Sequence, residues 1–597
     1  MRILIFKDEN TLLEYLTSNK EPVCVLDFTG IRQVKETASD AIVPQASFTP
    51  QQREKIRDEY IEIISEIGAL NQYSIHWLCH PMSEKNDLAP DNLFDRLVDF
   101  LCFYHTFSRE KKETLAVLPH RATLIRSIID FSAGQGITCQ VMGKNPAKPG
   151  MVRKLGSRFK GMISLLQGIL KTQYWYLKSR FLRKKLDKTN IYTVIRTWFD
   201  SRSPGLMEKN QDIYFGRLPG FLQDQGKNIL YFGDFAYGFE HEFAHLKKIG
   251  SPLVLGRSLL NGLDFYKAFL FQGSLERHIH LKTGLKILDV NVDMVIKNFS
   301  RDYARHQQVQ ANYLSYLAVK KLLKKIKVDA FYLPFENYAW EKLTWLAISR
   351  YPDKIYITAF QHAQVALNAT KFFLGQEETQ VSLFPDKLVT LGEVTRQVLI
   401  ERCHYPAQKL VPGCALRQDY SITSEPRART KHKRALVQLW SVQKSARLIN
   451  FLHASGIHPD KYHLTLNPHP CNPLEVLIPL LDFKYNHHFP LAIGTLNENF
   501  KTHDLVIYHG TTTCLDALAN GLPVIEVEFD DFITVDPLFE FTDFKWTARH
   551  PAELEQVIET VYALSDEEYY QGQQKGYEFV KKYFYPVNEE NLKKFLI

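Results

Sequence analysis

With 597 residues, 45% of them apolar and 23% charged, and a net charge of +8, the chain is too long for one hydrophobic core. It has the make-up of a globular protein of about three to four units. Its 29 tyrosines and 39 phenylalanines disfavour disorder. Eight scattered cysteines without C-x-x-C or zinc-finger spacing argue against a disulfide framework and fit a reducing compartment. The leading apolar run, 3–6, is far too short for a signal peptide, and no window approaches the roughly 18 apolar residues of a membrane span. A cytoplasmic location is expected.

Residues 1–150 mix strand-like runs (3–6, 23–28, 114–118) with helical ones (51–70, 93–104), which predicts an N-terminal α/β module. It carries no catalytic motif, and His105 and His120 read as structural or exposed. Residues 151–190 change character, with eleven lysines and arginines against one acid, Asp187. Leu155, Phe159, Met162, Ile163, Leu166, Ile169 and Leu170 recur there at helical spacing, followed by Tyr174, Trp175 and Tyr176. A basic amphipathic helical segment of this kind suits an anionic membrane surface. It equally suits an inter-domain helix that packs its apolar stripe on the body. No nucleic-acid-binding module appears.

A second α/β unit, 191–385, is expected to begin with a strand at 191–195, its loop at 197–200, and a strand at 229–232 that ends in Gly233-Asp234. A mostly helical passage covers 239–325. The strand 329–333 opens into Pro334-Phe335-Glu336-Asn337-Tyr338 and a helix at 343–349, and the strand 354–360 ends in Gln361-His362-Ala363. Residues 386–597 form a third α/β unit, opening with a strand at 387–391 and a helix at 395–403. A polar, basic loop at 420–433 follows, and the last domain starts at 434. Two successive α/β units with a cleft between them is the inferred architecture.

The stretch 462–528 carries the strongest functional pattern. A strand at 462–466 ends in Asn467-Pro468-His469-Pro470, a proline-stiffened loop presenting one imidazole. A strand at 504–508 ends in His509-Gly510-Thr511-Thr512-Thr513, a turn with hydroxyl caps for a helix that contains Leu515 and Leu518 and stops at Gly521 and Pro523. Open α/β sheets bind ligands at the carboxyl ends of their strands, and a helix N-terminus attracts anions, so a phosphate between the two loops is expected. The alternative is an ordinary helix cap and a structural histidine. Among the strand-end acids, Glu336 is the first choice for a base or nucleophile. Glu341 is a second candidate or a favourable N-terminal helix charge, and His362 is an expected neighbour of Glu336. Asp200 and Asp234 end earlier strands. Arg417 is either a phosphate contact or a surface salt-bridge residue, and Glu528-Phe529-Asp530-Asp531 reads as a solvated loop rather than a metal site.

The segment DKLVTLGEVTRQVLIERCHYPAQKLVPGCALR and the block HGTTTCLDALANGLPVIEVE together resemble the bridge and the donor-phosphate loop of GT-B glycosyltransferases. That resemblance implies a GT-B-like pair of Rossmann-like domains with the donor nucleotide held mainly by the C-terminal one. The pair His469-Pro470 after a strand is similar to the HP motif of bacterial sialyltransferases and Kdo transferases, in which the histidine contacts the CMP phosphate. Thr511, Thr512 and Thr513 resemble the companion Ser/Thr motif. LPFENYAWEKL followed by AFQHA resembles proteins of bacterial surface carbohydrate biosynthesis, some of which transfer nonulosonic acids. The acidic-acidic-glycine motif of the sialyltransferases is not present in its usual form, which leaves the sugar open.

The resemblance implies transfer from a CMP-activated sugar, a co-substrate, to a surface polysaccharide or lipid-linked glycan, with no metal or other cofactor. Donor binding would fall to His469, Pro470, His509, Gly510, Thr511, Thr512, Thr513 and Arg417. Glu336, His362 and Glu341 would carry the chemistry. A UDP- or GDP-sugar donor, polyol phosphate transfer, and a non-catalytic scaffold of a polysaccharide assembly complex are the competing readings.

Overall fold

The computed structural model describes residues 2–18, 23–28, 42–43, 47–85, 91–110, 114–142, 166–170, 173–175, 177–179, 186–236, 239, 241, 243–246, 249, 252–380, 383–417, 426–458, 460–469, 472–486 and 489–596. They form two compact units. The first takes in residues 1–208, 225–357 and 370–386, and the second 209–224, 358–369 and 387–597. Every sheet of three or more strands in either unit is parallel, and helices follow most strands, an α/β construction throughout.

In the first unit, β1 (Arg2–Phe6), β2 (Cys24–Asp27), β3 (Thr114–Leu118) and β4 (Thr138–Met142) form a parallel sheet of order β2-β3-β1-β4. Strands such as RILIF and TLAVL are apolar without alternation, because a parallel sheet is covered on both faces. The longest helix here, Pro50–Leu70, starts at a capping box. Thr49 Oγ1 accepts from Gln52 N at 3.2 Å, Gln52 Oε1 accepts from Thr49 N at 2.9 Å, and proline takes the first helical position. The expected N-terminal strands and helices are all present, and β4 is an addition to them.

A second sheet in this unit has the order β10-β5-β6-β7, from β5 (Ile191–Phe199), β6 (Asn228–Phe235), β7 (Leu253–Leu255) and β10 (Lys327–Phe335). A two-stranded hairpin, β8 (Lys286–Ile287) and β9 (Val290–Asn291), lies between β7 and β10 in the chain. One expectation is corrected: Thr197, Trp198 and Phe199 are strand, not loop, since they pair with Gly233, Asp234 and Phe235 of β6. The 239–325 passage is mostly helical as expected, with β7 added to the sheet edge and the hairpin between its helices.

The second unit contains β11 (Tyr356–Gln361) from Thr358 onward, β12 (Lys387–Thr390) and β13 (Leu410–Pro412), paired in that order. It also contains a five-stranded sheet of β14 (Arg434–Gln438), β15 (His463–Asn467), β16 (Leu505–Tyr508), β17 (Val524–Val527) and β18 (Lys545–Ala548). Leu505, Val506, Ile507, Val524 and Ile525 are fully buried, and each such side chain contributes about 1.5–3 kcal/mol of burial. Of the expected loop at 420–433 the described part has no regular structure, and its arginines strap the module. Arg427 donates to the His503 carbonyl at 2.8 Å, and Arg429 to the Leu564 carbonyl at 2.7 Å.

Most of the expected basic amphipathic helix at 151–190 lies outside the described residues, including all its cations but Lys178 and Lys188. Pro470 lies outside them too. Among the described residues, no helix is long and apolar enough to cross a membrane.

Candidate functional site

The five-stranded sheet runs β15-β14-β16-β17-β18. The chain begins on β14, adds β15 on one flank, and crosses back to add β16 on the other. Connections from β14 and β16 therefore leave in opposite directions, and a crevice opens at their carboxyl ends. The loops after β14 (439–441), β15 (from 468) and β16 (509–513) all lie at this edge.

The β16 loop turns sharply because Gly510 sits at φ +66°, and a Cβ there would lie 2.6 Å from Val535 Cγ2 and 3.5 Å from Trp440 Nε1. His509, expected to face the donor, is instead buried. Its Nδ1 lies 2.9 Å from the Val527 carbonyl, which can only accept, so Nδ1 carries the hydrogen. Its Nε2 lies 3.0 Å from Asp531 Oδ2. Asp531 also meets Arg447 Nη1 at 3.1 Å, so it belongs to an ion cluster and not to a solvated loop. Burial pushes the Asp531 carboxyl up, but His509, Lys444 and Arg447 outweigh it and hold the group below the usual carboxylate range. His509 thus clamps the loop to the end of β17.

Thr512 occupies the N-cap of the Thr513–Ala519 helix without a side-chain cap bond. Thr511 takes that part: its Oγ1 accepts from Thr513 N at 3.4 Å and lies 3.1 Å from Thr513 Oγ1. Thr511 is buried, Thr513 half-buried and Thr512 exposed. Across β14, His469 is exposed two residues beyond β15, and its carbonyl accepts from Asn472 N at 2.8 Å. Asn472 Nδ2 donates to the Trp440 carbonyl at 2.5 Å, which ties the histidine loop to the β14 loop.

The β14 loop is what the sequence reading missed. Gln438, buried at the strand end, accepts from Asn467 Nδ2 at 2.9 Å. Its own Nε2 and the Trp440 Nε1 are buried, and neither has a hydrogen-bond partner among the described residues. Such orphaned donors are rare. The Val442–Ala454 helix starts here from Ser441 with no side-chain cap, so its first amides also face the crevice end of the strand. The available signal was the polar run Trp440-Ser441-Val442-Gln443-Lys444-Ser445 directly after a strand.

The first unit has a switch point of its own. Its second sheet starts on β5, adds β6 and β7 on one side, and returns to place β10 on the other. Glu336 follows β10 directly, and Asn337 at φ +64° turns the chain into the Ala339–Ser349 helix. Glu341 is buried and accepts from Glu336 N at 3.0 Å and Asn337 N at 2.8 Å, closing that turn. Burial, and then the charge of Glu336, pushes its carboxyl well above the ordinary range. The helix-start role fits Glu341.

Glu336 Oε2 lies 2.6 Å from Lys371 Nζ, which also donates to Tyr338 Oη at 2.9 Å. Burial works against the Lys371 ammonium, but Glu336 and Tyr338 prevail and raise it to about 12. The Glu336 side chain keeps 25% of its surface exposed, against 4% for Lys371. Buried charges continue behind them. Lys85 pairs with Glu378, Lys342 Nζ donates to the Ser83 carbonyl at 3.0 Å, and Glu84 accepts from Ala339 N at 3.1 Å. Asp200 accepts from Arg202 N at 2.8 Å and fixes its own loop, whereas Asp234 accepts from Arg257 Nε at 3.1 Å and holds the turn after β7.

His362 belongs to the second unit. Its ring meets Tyr214 edge-on at 4.7 Å, and Arg417 stands over the same tyrosine with Cζ 5.7 Å from the ring centre. The exposed Arg417 has no ion pair among the described residues, so the structure gathers His362 with Arg417, a residue expected on the donor side.

Together these features define an α/β protein with a strand-order reversal, and the loops of three strands, at one edge of a parallel sheet. No family model matches the chain, and no curated protein matches it. Solved structures with a partial likeness include the UDP-GlcNAc 2-epimerase from Methanocaldococcus jannaschii, 11% identical over 66% of this chain and 98% of that one, with a TM-score of 0.35. The MurG of Acinetobacter baumannii is 13% identical over 65% and 95%, with a TM-score of 0.35. The glycosyltransferase SnogD from Streptomyces nogalater is 13% identical over 66% and 96%, with a TM-score of 0.33. Likeness at this level leaves the function to be argued from the site.

Proposed function

We propose that the protein is a glycosyltransferase of the GT-B type that binds a CMP-activated, nonulosonic-acid-type sugar at the β14/β16 crevice. It transfers the sugar to a surface polysaccharide or lipid-linked glycan and needs no metal or other cofactor. The observation that carries this reading is the placing of the His469 loop and the Thr511–Thr513 loop on the two flanks of β14, at whose end stand the orphaned Trp440 and Gln438 donors. Donors fixed before the reaction stabilise a departing phosphate without reorganising at the moment of bond breaking. His469 would meet the phosphate, with the Thr511 and Thr513 hydroxyls and the first amides after Ser441 beside it.

Two cations at this edge, Lys444 and Arg447, are already engaged with Asp531, which supports a monophosphate over a diphosphate donor. Glu336, partly exposed at the first unit's switch point, is the group assigned to the acceptor proton; Lys371 orients it. A panel of CMP-, UDP- and GDP-sugars, read by nucleotide release, tests the proposal. Release of CMP alone is expected, with a large loss in Glu336→Gln. Release from a UDP-sugar and from no CMP-sugar overturns the donor. CMP binding without turnover, unchanged in Glu336→Gln, makes the protein a scaffold.

A further inference from the structure

Beside the Glu336 turn, the first unit has a cleft of about 380 Å³, partly open to solvent. Three segments distant in the chain, 73–78, 337–342 and 374–384, come together to line it. Its walls are mostly apolar or aromatic: Tyr73, Trp77, Leu78 and Leu374 are buried, and Leu383 and Phe384 are half-buried. Asn337 of the turn lines it too, and so do two charged side chains, Lys342 and Glu378.

Lys342, on the Ala339–Ser349 helix, is 7% exposed. An ammonium carries three N–H donors. Among the described residues Lys342 makes one hydrogen bond, from Nζ to the Ser83 carbonyl at 3.0 Å, and no ion pair. The acids around it are committed elsewhere. Glu378 pairs with Lys85 and accepts from Gly375 N at 3.1 Å. Glu84 accepts from Ala339 N at 3.1 Å and from Gln308 Nε2 at 2.7 Å, and Glu341 closes the turn at 336–337. Lys85 and Lys371 each have a carboxylate, whereas Lys342 has a neutral carbonyl. It is the exception in a cluster whose other charges are matched. Burial, with Lys85 adding to it, outweighs the pull of Glu378, Glu84 and Glu341 and lowers the Lys342 ammonium to about 8.

A buried cation with no counter-charge is costly, and an anion held in the cleft would relieve that cost. One negative charge balances one ammonium. A phosphate dianion would bring a second charge up to Glu378 in the same cleft. The apolar walls suit an alkyl tail and offer little to a hydroxylated ligand.

We propose that the cleft binds a short-chain monocarboxylate, whose carboxylate pairs with Lys342 and whose alkyl tail lies against Trp77, Leu78 and Leu374. The site is independent of the donor crevice, and it can fail while the donor reading holds. The test is titration calorimetry of the full chain with acetate, propionate, butyrate and the neutral propionamide at about pH 7. The carboxylates are expected to bind, each added methylene tightening binding about fourfold. Propionamide should bind about tenfold more weakly than propionate, or weaker still, and Lys342→Met should lose a similar factor for propionate. Because a buried substitution can misfold, the parent supplies a second measurement. Its propionate affinity should hold up to about pH 8 and then fall toward tenfold per pH unit, since only the protonated amine pairs with a carboxylate. The other titratable groups lining the cleft stay as they are in that window: Tyr73 is held above its ordinary value by burial and Glu378, and Glu378 is held low by Lys85 and Lys342 against its burial. The proposal is overturned if no carboxylate binds saturably, or if propionamide binds as tightly as propionate. A folded Lys342→Met with the parent's propionate affinity, or a parent affinity that is flat from about pH 7 to about pH 9.5, would also overturn it.

Discussion

At the carboxyl ends of β5 and β10, the charged groups are matched from within the chain: Glu336 by Lys371, Glu378 by Lys85, Glu341 by two backbone amides. At the ends of β14 and β16, on a sheet with the same kind of strand reversal, Gln438 and Trp440 keep buried N–H donors without partners among the described residues. Among the described residues, the charged cluster that reaches the β16 loop itself is His509 with Asp531 and its two cations. A switch point supplies a crevice in either case, but what fills it differs. The first is pre-neutralised and holds one partly exposed carboxylate in place. The second has hydrogen-bonding capacity left over, which is what a bound ligand consumes.

This contrast is broken most severely by unmatching the first site. Glu378→Gln strands the Lys85 ammonium, whose side chain is fully buried, and loss of one partner from a buried pair costs about 3–5 kcal/mol. Urea unfolding followed in the first unit should show it; a loss below about 1 kcal/mol would mean that the pair is not neutralising anything. In the second site the comparable weak point is backbone. Gly510→Ala must adopt φ near +66° and displace Val535, a strain of about 1–3 kcal/mol. Nucleotide binding, measured calorimetrically, should fall with it, since the turn sets where Thr511 and Thr513 stand.

Much of this was legible before any coordinates. Parallel strands buried on both faces read as short apolar runs, so β1, β3 and β16 are legible nearly to the residue. β7 was not, because three residues carry no usable period. Thr197 to Phe199 looked like a loop before Asp200, although pairing to β6 makes them strand. Side-chain roles were less legible. Lys371 is 35 residues from Glu336 and sits in a short 3-10 turn, so nothing local announced that pair. His509 had the look of a ligand contact because its loop is polar, whereas its partners come from the end of β17 and beyond. His362 was assigned by strand position alone, and the structure sets it beside Tyr214 and Arg417.

The comparison is sharpened by two gentler changes in the second site. Asp531→Asn removes a carboxylate whose folded pKa is depressed, burial being outweighed by His509, Lys444 and Arg447. A depressed carboxylate stabilises above its unfolded pKa and loses that contribution as pH falls through the folded value. The variant should therefore melt below the parent by an amount that is constant from neutral pH down to about 4 and shrinks only below that. A variant that melts with the parent at neutral pH would mean that the ion cluster contributes nothing to stability. The smallest structural effect belongs to His469→Ala. The side chain is exposed on its loop, so stability should change by no more than about 0.5 kcal/mol. If the imidazole meets the donor phosphate, affinity for CMP should nevertheless drop by about 1.5–3 kcal/mol, the range of a hydrogen bond to a charged group. Parent-like CMP affinity in this variant, with the fold intact, would detach the histidine loop from the crevice and leave the β14 and β16 loops as the whole of the phosphate site.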